Sequence, residues 1–170
     1  MRLLRLAVLV SAAVSLSLAL RIWVFEPVYV ASASMEPALA MGRRYLIDKV
    51  TLRLRPPRRG DIVLFRSPTG EDLNTGKRVI GLPGESVELK GKKVWINGRE
   101  LAEPYAVHKR TGERLAGDDL GPLTVPAGSL FVLGDNRDES EDATVWKDAA
   151  GKPIRFIRGD ELRGLVRGVP

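Results

Sequence analysis

From Leu6 to Leu20 the chain is an unbroken run of apolar and small residues, interrupted by Arg21 and resumed by Ile22-Trp23-Val24-Phe25. Taken as one helix, this stretch has the ~20 residues needed to cross a hydrocarbon core of ~30 Å. After Pro27 the period changes. Short alternating or β-branched runs bounded by turn residues predict strands over Val28–Val30, Tyr45–Val50, Asp61–Arg66, Lys77–Leu82, Ser86–Leu89, Val94–Asn97, Ser129–Leu133 and Leu162–Arg167. Lys90-Gly91-Lys92-Lys93 reads as a hairpin loop, and Asn97-Gly98 as a tight turn just after it. Pro37–Met41 predicts one short helical turn. Leu101–Pro126, with three glycines and three prolines, predicts an irregular insertion. No long amphipathic helix follows the apolar segment. The expected fold is mainly β, an antiparallel sheet domain over 26–170 preceded by one transmembrane helix over 6–25 and a short N-terminus at 1–5.

The apolar segment has rivals to exclude. It exceeds the usual length of a buried helix, and it lacks the polar face of an interfacial one. A cleavable secretory signal fits the apolar core, and Ala31-Ser32-Ala33 resembles an A-x-A cleavage site. Arg21 and the ten residues after it make a poor cleavage region, so length and flanks favour an uncleaved anchor. Arg2 and Arg5 hold its start in the cytoplasm and place Glu26 onward outside; Arg21 and Trp23 suit the opposite boundary.

Charge and composition narrow the chemistry. Net charge is +6, but Arg2, Arg5 and Arg21 supply half of it, which leaves the rest of the chain near balance. Arg53, Arg55, Arg58 and Arg59 form the best basic patch, read as a solvated loop or a contact with lipid headgroups. Without clustered basic residues and interleaved aromatics, nucleic acid is disfavoured as a partner. The absence of cysteine excludes disulfides and thiol catalysis, and a single histidine, His108, with no H-E-x-x-H pattern argues against a zinc hydrolase. Oxygen nucleophiles, carboxylates and lysine remain.

Three segments carry such groups. Ser32-Ala33-Ser34-Met35-Glu36-Pro37 follows the first strand. A serine hydroxyl is a weak nucleophile without a base, and most isolated S-x-S sequences are loop caps. Lys77-Arg78-Val79-Ile80-Gly81-Leu82-Pro83-Gly84 opens with a lysine leading into an apolar strand, where burial can bring its pKa down from ~10.4. Gly134-Asp135-Asn136-Arg137-Asp138-Glu139-Ser140-Glu141-Asp142 is an acidic loop that lacks the spacing of an EF-hand.

In this order behind an N-terminal anchor, these segments resemble the bacterial type I signal peptidases, or leader peptidases. That family carries S-x-S-M-x-P-T-L, G-D-x-V-x-F, K-R-V-I-G-x-P-G and G-D-N-R-D-x-S-x-D-S-R; here they stand as Ser32–Leu39, Gly60–Phe65, Lys77–Gly84 and Gly134–Thr144. The resemblance implies a single-pass enzyme of the bacterial cell membrane, with its catalytic domain on the extracytoplasmic side. It would act as a monomer on exported preproteins, without cofactor or metal, and cut after small residues at −1 and −3. It implies Ser34 as nucleophile, Lys77 as general base, and Ser32 with the Ser34 N–H as oxyanion hole. Ser140 would orient Lys77, Asp135 and Asp142 would support the Ser140 loop, and Val28, Val30 and Ala31 would line the substrate pocket.

The chain departs from the pattern at Ala31 for proline, Ala38 for threonine, Gly76 for a β-branched residue, and Thr144 for arginine; Lys147–Arg155 displaces the family's usual stretch after Trp146. Without that arginine, Asp142 needs another partner, with Arg137 or Arg78 as candidates. A peptidase dedicated to one substrate, a His108-based enzyme and a domain that binds signal peptides without cutting them stand as alternatives.

Overall fold

The computed structural model describes residues 1–70 and 73–168. Helix α1 (Arg2–Trp23) buries none of its residues against the rest of the protein. At 22 residues, with a mean hydropathy of 2.2 over its 18-residue apolar stretch, it is long and apolar enough to cross a membrane. The chain then runs straight into β1 (Phe25–Tyr29) and β2 (Arg44–Asp48), a short helix α2 (Thr51–Leu54), and strands β3 (Ile62–Arg66), β4 (Asn74–Gly81), β5 (Ser86–Lys90), β6 (Lys93–Ile96), β7 (Arg99–Glu100), β8 (Leu120–Thr124), β9 (Ser129–Leu133), β10 (Ile157–Arg158) and β11 (Leu162–Arg167).

The strands form a seven-stranded sheet, β1-β2-β11-β3-β4-β9-β10, and a four-stranded sheet, β7-β6-β5-β8. Every pairing between these strands is antiparallel. The apolar run Ile62–Phe65 explains why β3 is central. Its side chains alternate between faces, so Val63 and Phe65 enter a large core with β4, β9 and the smaller sheet, while Ile62 and Leu64 join Met35, Leu39, Ile47 and Val166 on the other side. The second cluster lies directly beneath the Ser32–Pro37 segment. Trp146 packs edge-on against Phe65, with ring centroids 5.9 Å apart.

Turn chemistry agrees with the sequence at both tight hairpins. Gly91 and Lys92 take positive φ between β5 and β6, as do Asn97 and Gly98 between β6 and β7, giving the left-handed pair that closes a two-residue hairpin. Several boundaries differ from expectation. Phe25 starts β1 instead of ending the helix, and β4 begins at Asn74 because pairing with β3 runs on to Arg66↔Asn74, past the apolar residues. Residues 34–38 form turns, not the helical turn expected at Pro37–Met41. The 101–126 insertion is not wholly irregular, since it contains β8, hydrogen-bonded to β5.

Candidate active site

The segment after β1 leaves the sheet edge at Val30 and folds into consecutive turns that present Ser32 and Ser34. Met35 and Leu39 sink into the smaller core and pin these turns from below, with the Leu39 N–H on the Met35 carbonyl at 2.8 Å. The peptide between Glu36 and Pro37 is cis. From above, the segment is held by Asn136, whose backbone N–H reaches the Ser34 carbonyl at 3.1 Å and whose side-chain amide reaches the Ala33 carbonyl at 3.1 Å.

Lys77 lies on β4 opposite Val63, only 2 % exposed. Its Nζ donates to Ser140 Oγ at 2.9 Å. Burial disfavours the ammonium and brings the pKa down from 10.5 to about 8, against the opposing pull of Asp142, Glu141 and Asp135. Gly76 beside it does not expose the amine to water. Ser34 Oγ pairs with Ser32 Oγ at 3.2 Å, not with Lys77. Both Ser34 and Lys77 line one cleft of about 460 Å³, together with Ser32, Val28, Val30 and Ala31. Met35, Leu64 and Trp146 give its floor apolar character, and Glu139 and Glu141 stand at its rim.

The loop that follows β9 carries Ser140. Its close approach to the Ser32–Pro37 segment requires Gly134: a Cβ there would stand 2.1 Å from Ser140 Oγ and 2.5 Å from the Ser34 carbonyl oxygen. Each buried carboxylate of the loop is engaged by protein donors. Asp135 takes a bidentate pair from Arg78, at 2.7 and 2.5 Å, and that guanidinium stacks 4.1 Å over Tyr105. Asp138 accepts from Lys92 at 2.9 Å and from the Arg110 N–H at 2.6 Å. Asp142 accepts from the N–H groups of Gly134 and Thr144, at 3.0 and 3.1 Å, and from the Thr144 hydroxyl at 2.8 Å. Neither arginine expected to pair with Asp142 does so: Arg78 is held by Asp135, and Arg137 by Glu103 at 2.6 and 3.0 Å. Sharing out the guanidinium groups this way leaves Asp142 to neutral donors.

The 101–126 insertion braces this loop. Glu103 supplies the Arg137 pair, Arg110 helps fix Asp138, and Val107 exchanges backbone hydrogen bonds with Asp135 and Arg137. His108 sits here, half-buried, with its Nδ1 3.9 Å from Asp138 Oδ1, and it does not line the cleft of Ser34. Two arginines of the basic patch are paired, Arg55 with Asp61 and Arg59 with Glu85, and Arg53 lies over the Trp23 ring at 5.9 Å. Sequence reasoning missed Asn136 and Gly134 as parts of the site. Both stand inside the Gly134–Thr144 motif, but nothing in residue type alone tells that they clasp the serine segment.

Ser34 and a buried amine of depressed pKa thus line one cleft on an antiparallel β domain, groups with which a serine hydrolase can work without histidine. Comparisons with known proteins show the family. The family model for signal peptidase, peptidase S26, matches residues 3–167. Signal peptidase I of Bacillus amyloliquefaciens is 42% identical over 136 residues, covering 77% of this chain and 69% of that protein. Signal peptidase I of Leptolyngbya laminosa is 41% identical over 145 residues, covering 81% and 68%. The crystal structure of a signal peptidase I from Enterococcus faecalis superposes with a TM-score of 0.52 at 33% identity, over 66% of this chain and 98% of that one. The chain belongs to the signal peptidase family, peptidase S26, and is a serine endopeptidase.

Proposed function

We propose that the chain is a membrane-anchored endopeptidase that removes signal peptides from exported preproteins by a Ser34–Lys77 dyad. The observation that carries this reading is Lys77, a lysine buried at a cleft shared with Ser34 and tuned to about 8. At pH 7 an amine of that pKa is neutral in roughly one molecule in ten, against roughly one in three thousand for an ordinary lysine.

Substrate entry exchanges the Ser32–Ser34 hydrogen bond for one between Ser34 and the Lys77 amine. Ser34 Oγ attacks the scissile carbonyl while Lys77 takes its proton. The oxyanion is held by the Ser34 N–H and the Ser32 hydroxyl, each donor supplying about 3 kcal/mol. The Lys77 ammonium then protonates the leaving amine, and the C–N bond breaks to leave an acyl ester on Ser34. Water, deprotonated by Lys77, hydrolyses that ester and restores both groups. Ser140 keeps the Lys77 amine aimed throughout, with Asp135 and Asp142 supporting its loop. Val28, Val30 and Ala31 wall the cleft where the −1 and −3 side chains would sit, which fits small residues only.

Helix α1 serves as the anchor, with its N-terminal end cytoplasmic and the β domain from Phe25 onward extracytoplasmic. Lys49 ties the helix end to the domain, through its N–H to the Val24 carbonyl at 2.9 Å, its Nζ to the Ile22 carbonyl at 3.2 Å, and an ion pair with Glu26 at 2.7 Å. Outward-facing Phe25 and Tyr29 on the edge strand β1, and Leu46 on its neighbour β2, continue from Trp23, an aromatic and apolar margin suited to the bilayer interface. The enzyme works as a monomer on this account. The test is cleavage of a preprotein with an A-x-A site by the full chain in detergent, the product's new N-terminus being sequenced. Cutting directly after the −1 alanine, lost when that alanine becomes phenylalanine, is expected. Cleavage indifferent to the −1 residue contradicts the pocket assignment.

A further inference from the structure

We propose that Arg155 is a positioning residue for the Ser140–Lys77 pair, delivered by the hairpin at residues 146–154 to hold the 142–144 segment and set a positive charge against Asp142. The inference rests on the Ser34–Lys77 reading and extends it to a part of the chain outside every recognised motif.

Asp142 is buried yet receives only neutral donors. A buried carboxylate without a cation is costly, and the guanidinium groups of Arg78 and Arg137 are committed elsewhere. Arg155 brings a cation to the neighbouring backbone without bonding the carboxylate itself. Its Nη1 donates to the Ala143 carbonyl at 2.8 Å and to the Thr144 carbonyl, and its charge attracts Asp142. A residue so far along the chain arrives there because the segment after Trp146 doubles back. Lys147 bridges Pro153 antiparallel, and Asp148 Oδ1 accepts from the N–H groups of Ala150 and Lys152, at 2.9 and 2.8 Å. The Ile154 N–H then closes on the Trp146 carbonyl at 2.9 Å, which leaves Arg155 beside residues 143 and 144.

Thr144 lines a small cavity with Gly117 and Asp142, which Lys92, His108, Asp118 and Arg137 also face. Thr144 lies so close to the backbone of Gly117 that a Cβ on that glycine would stand 2.4 Å from Thr144 Oγ1. The 101–126 insertion thus closes one side of Asp142, and Arg155 approaches from another. The path to the reacting groups is short: Asp142 holds the Gly134 N–H, Gly134 packs against Ser140, and Ser140 holds Lys77. The charges acting on Lys77 are Asp142, Glu141 and Asp135, all on that loop, while its neighbour across β3 is Val63.

The experiment compares full-length wild type, Arg155→Met and Arg155→Lys in detergent, with kcat and KM measured separately across pH. Arg155→Met is expected to lower kcat about ten-fold or more with KM nearly unchanged. It should also move the acid limb of kcat/KM up by about half a unit or more, because unopposed Asp142 holds the Lys77 proton more tightly. Arg155→Lys keeps the charge and should return the limb to its wild-type position. Should Arg155→Met fold poorly, the pair Asp142→Asn and Asp142→Asn/Arg155→Met decides: with the carboxylate neutralised, loss of Arg155 should move the limb no further. Wild-type kcat and limb in Arg155→Met, equal losses in both Arg155 variants with a fixed limb, or a full further shift in the double variant would overturn the proposal. Lys77→Ala run alongside keeps the two readings apart, since activity there would overturn the base assignment itself.

Discussion

Replacing Lys77 by methionine is expected to abolish activity while making the folded protein more stable. Lys77 carries a pKa of about 8 when folded, against 10.5 for the same side chain when unfolding returns it to water. Below pH 8 both forms are protonated, and the folded state bears the full cost of a buried ammonium, about 3 kcal/mol for that difference. Between pH 8 and 10.5 the unfolded chain binds more protons than the folded one, so stability rises with pH through that window. Methionine fills a similar volume with no charge to bury. It gives up the hydrogen bond to Ser140, worth about 1 kcal/mol, so the net gain at pH 7 is about 2 kcal/mol. Urea unfolding in detergent, followed by tryptophan fluorescence through Trp146 against Phe65, measures it directly. The variant should unfold at higher urea at pH 7, and its advantage should shrink steadily from pH 8 to 10.5. A variant less stable than wild type at pH 7, or a difference that stays constant across that window, would refute the reasoning.

The same burial sets the rate profile. With Lys77 as the proposed base, activity would require its neutral form, so kcat/KM should climb about ten-fold per pH unit below pH 8 and level off above it; a limb near 10 would show a lysine of ordinary basicity and contradict the account. Gly134→Ala should cost about a hundred-fold or more in kcat, since its Cβ would press on both Ser140 and the Ser34 carbonyl. Near-normal kcat in a well-folded Gly134→Ala would mean that the loop tolerates displacement of Ser140.

Strands whose side chains alone specify them are legible in the sequence. Ser129–Leu133 and Leu162–Arg167 appear in the structure with the expected limits, because continuous or alternating apolar residues are what a buried strand requires. The strand Leu120–Thr124 is hidden, since Leu-Gly-Pro-Leu-Thr is mostly exposed and exists as an edge through backbone pairing with β5. The site divides in the same manner. Ser34, Lys77 and Ser140 stand out through motif order, whereas the clasp of Asn136 on Ala33 and Ser34 joins residues about a hundred positions apart. The partner of Asp142 differs from expectation because competition settles it: Glu103 and Asp135 take the two nearby arginines, and neither outcome is written in local sequence.

The central claim is that Ser34 is the nucleophile and Lys77 its base. The most direct measurement is single-turnover cleavage of an A-x-A preprotein by wild type, Ser34→Ala and Lys77→Ala, each shown to be folded. The account predicts that both variants lose activity by several orders of magnitude, with Lys77→Ala inactive at every pH from about 6 to 10. Appreciable cleavage by Lys77→Ala, above all if His108→Ala then abolishes it, would contradict the dyad and place the base elsewhere.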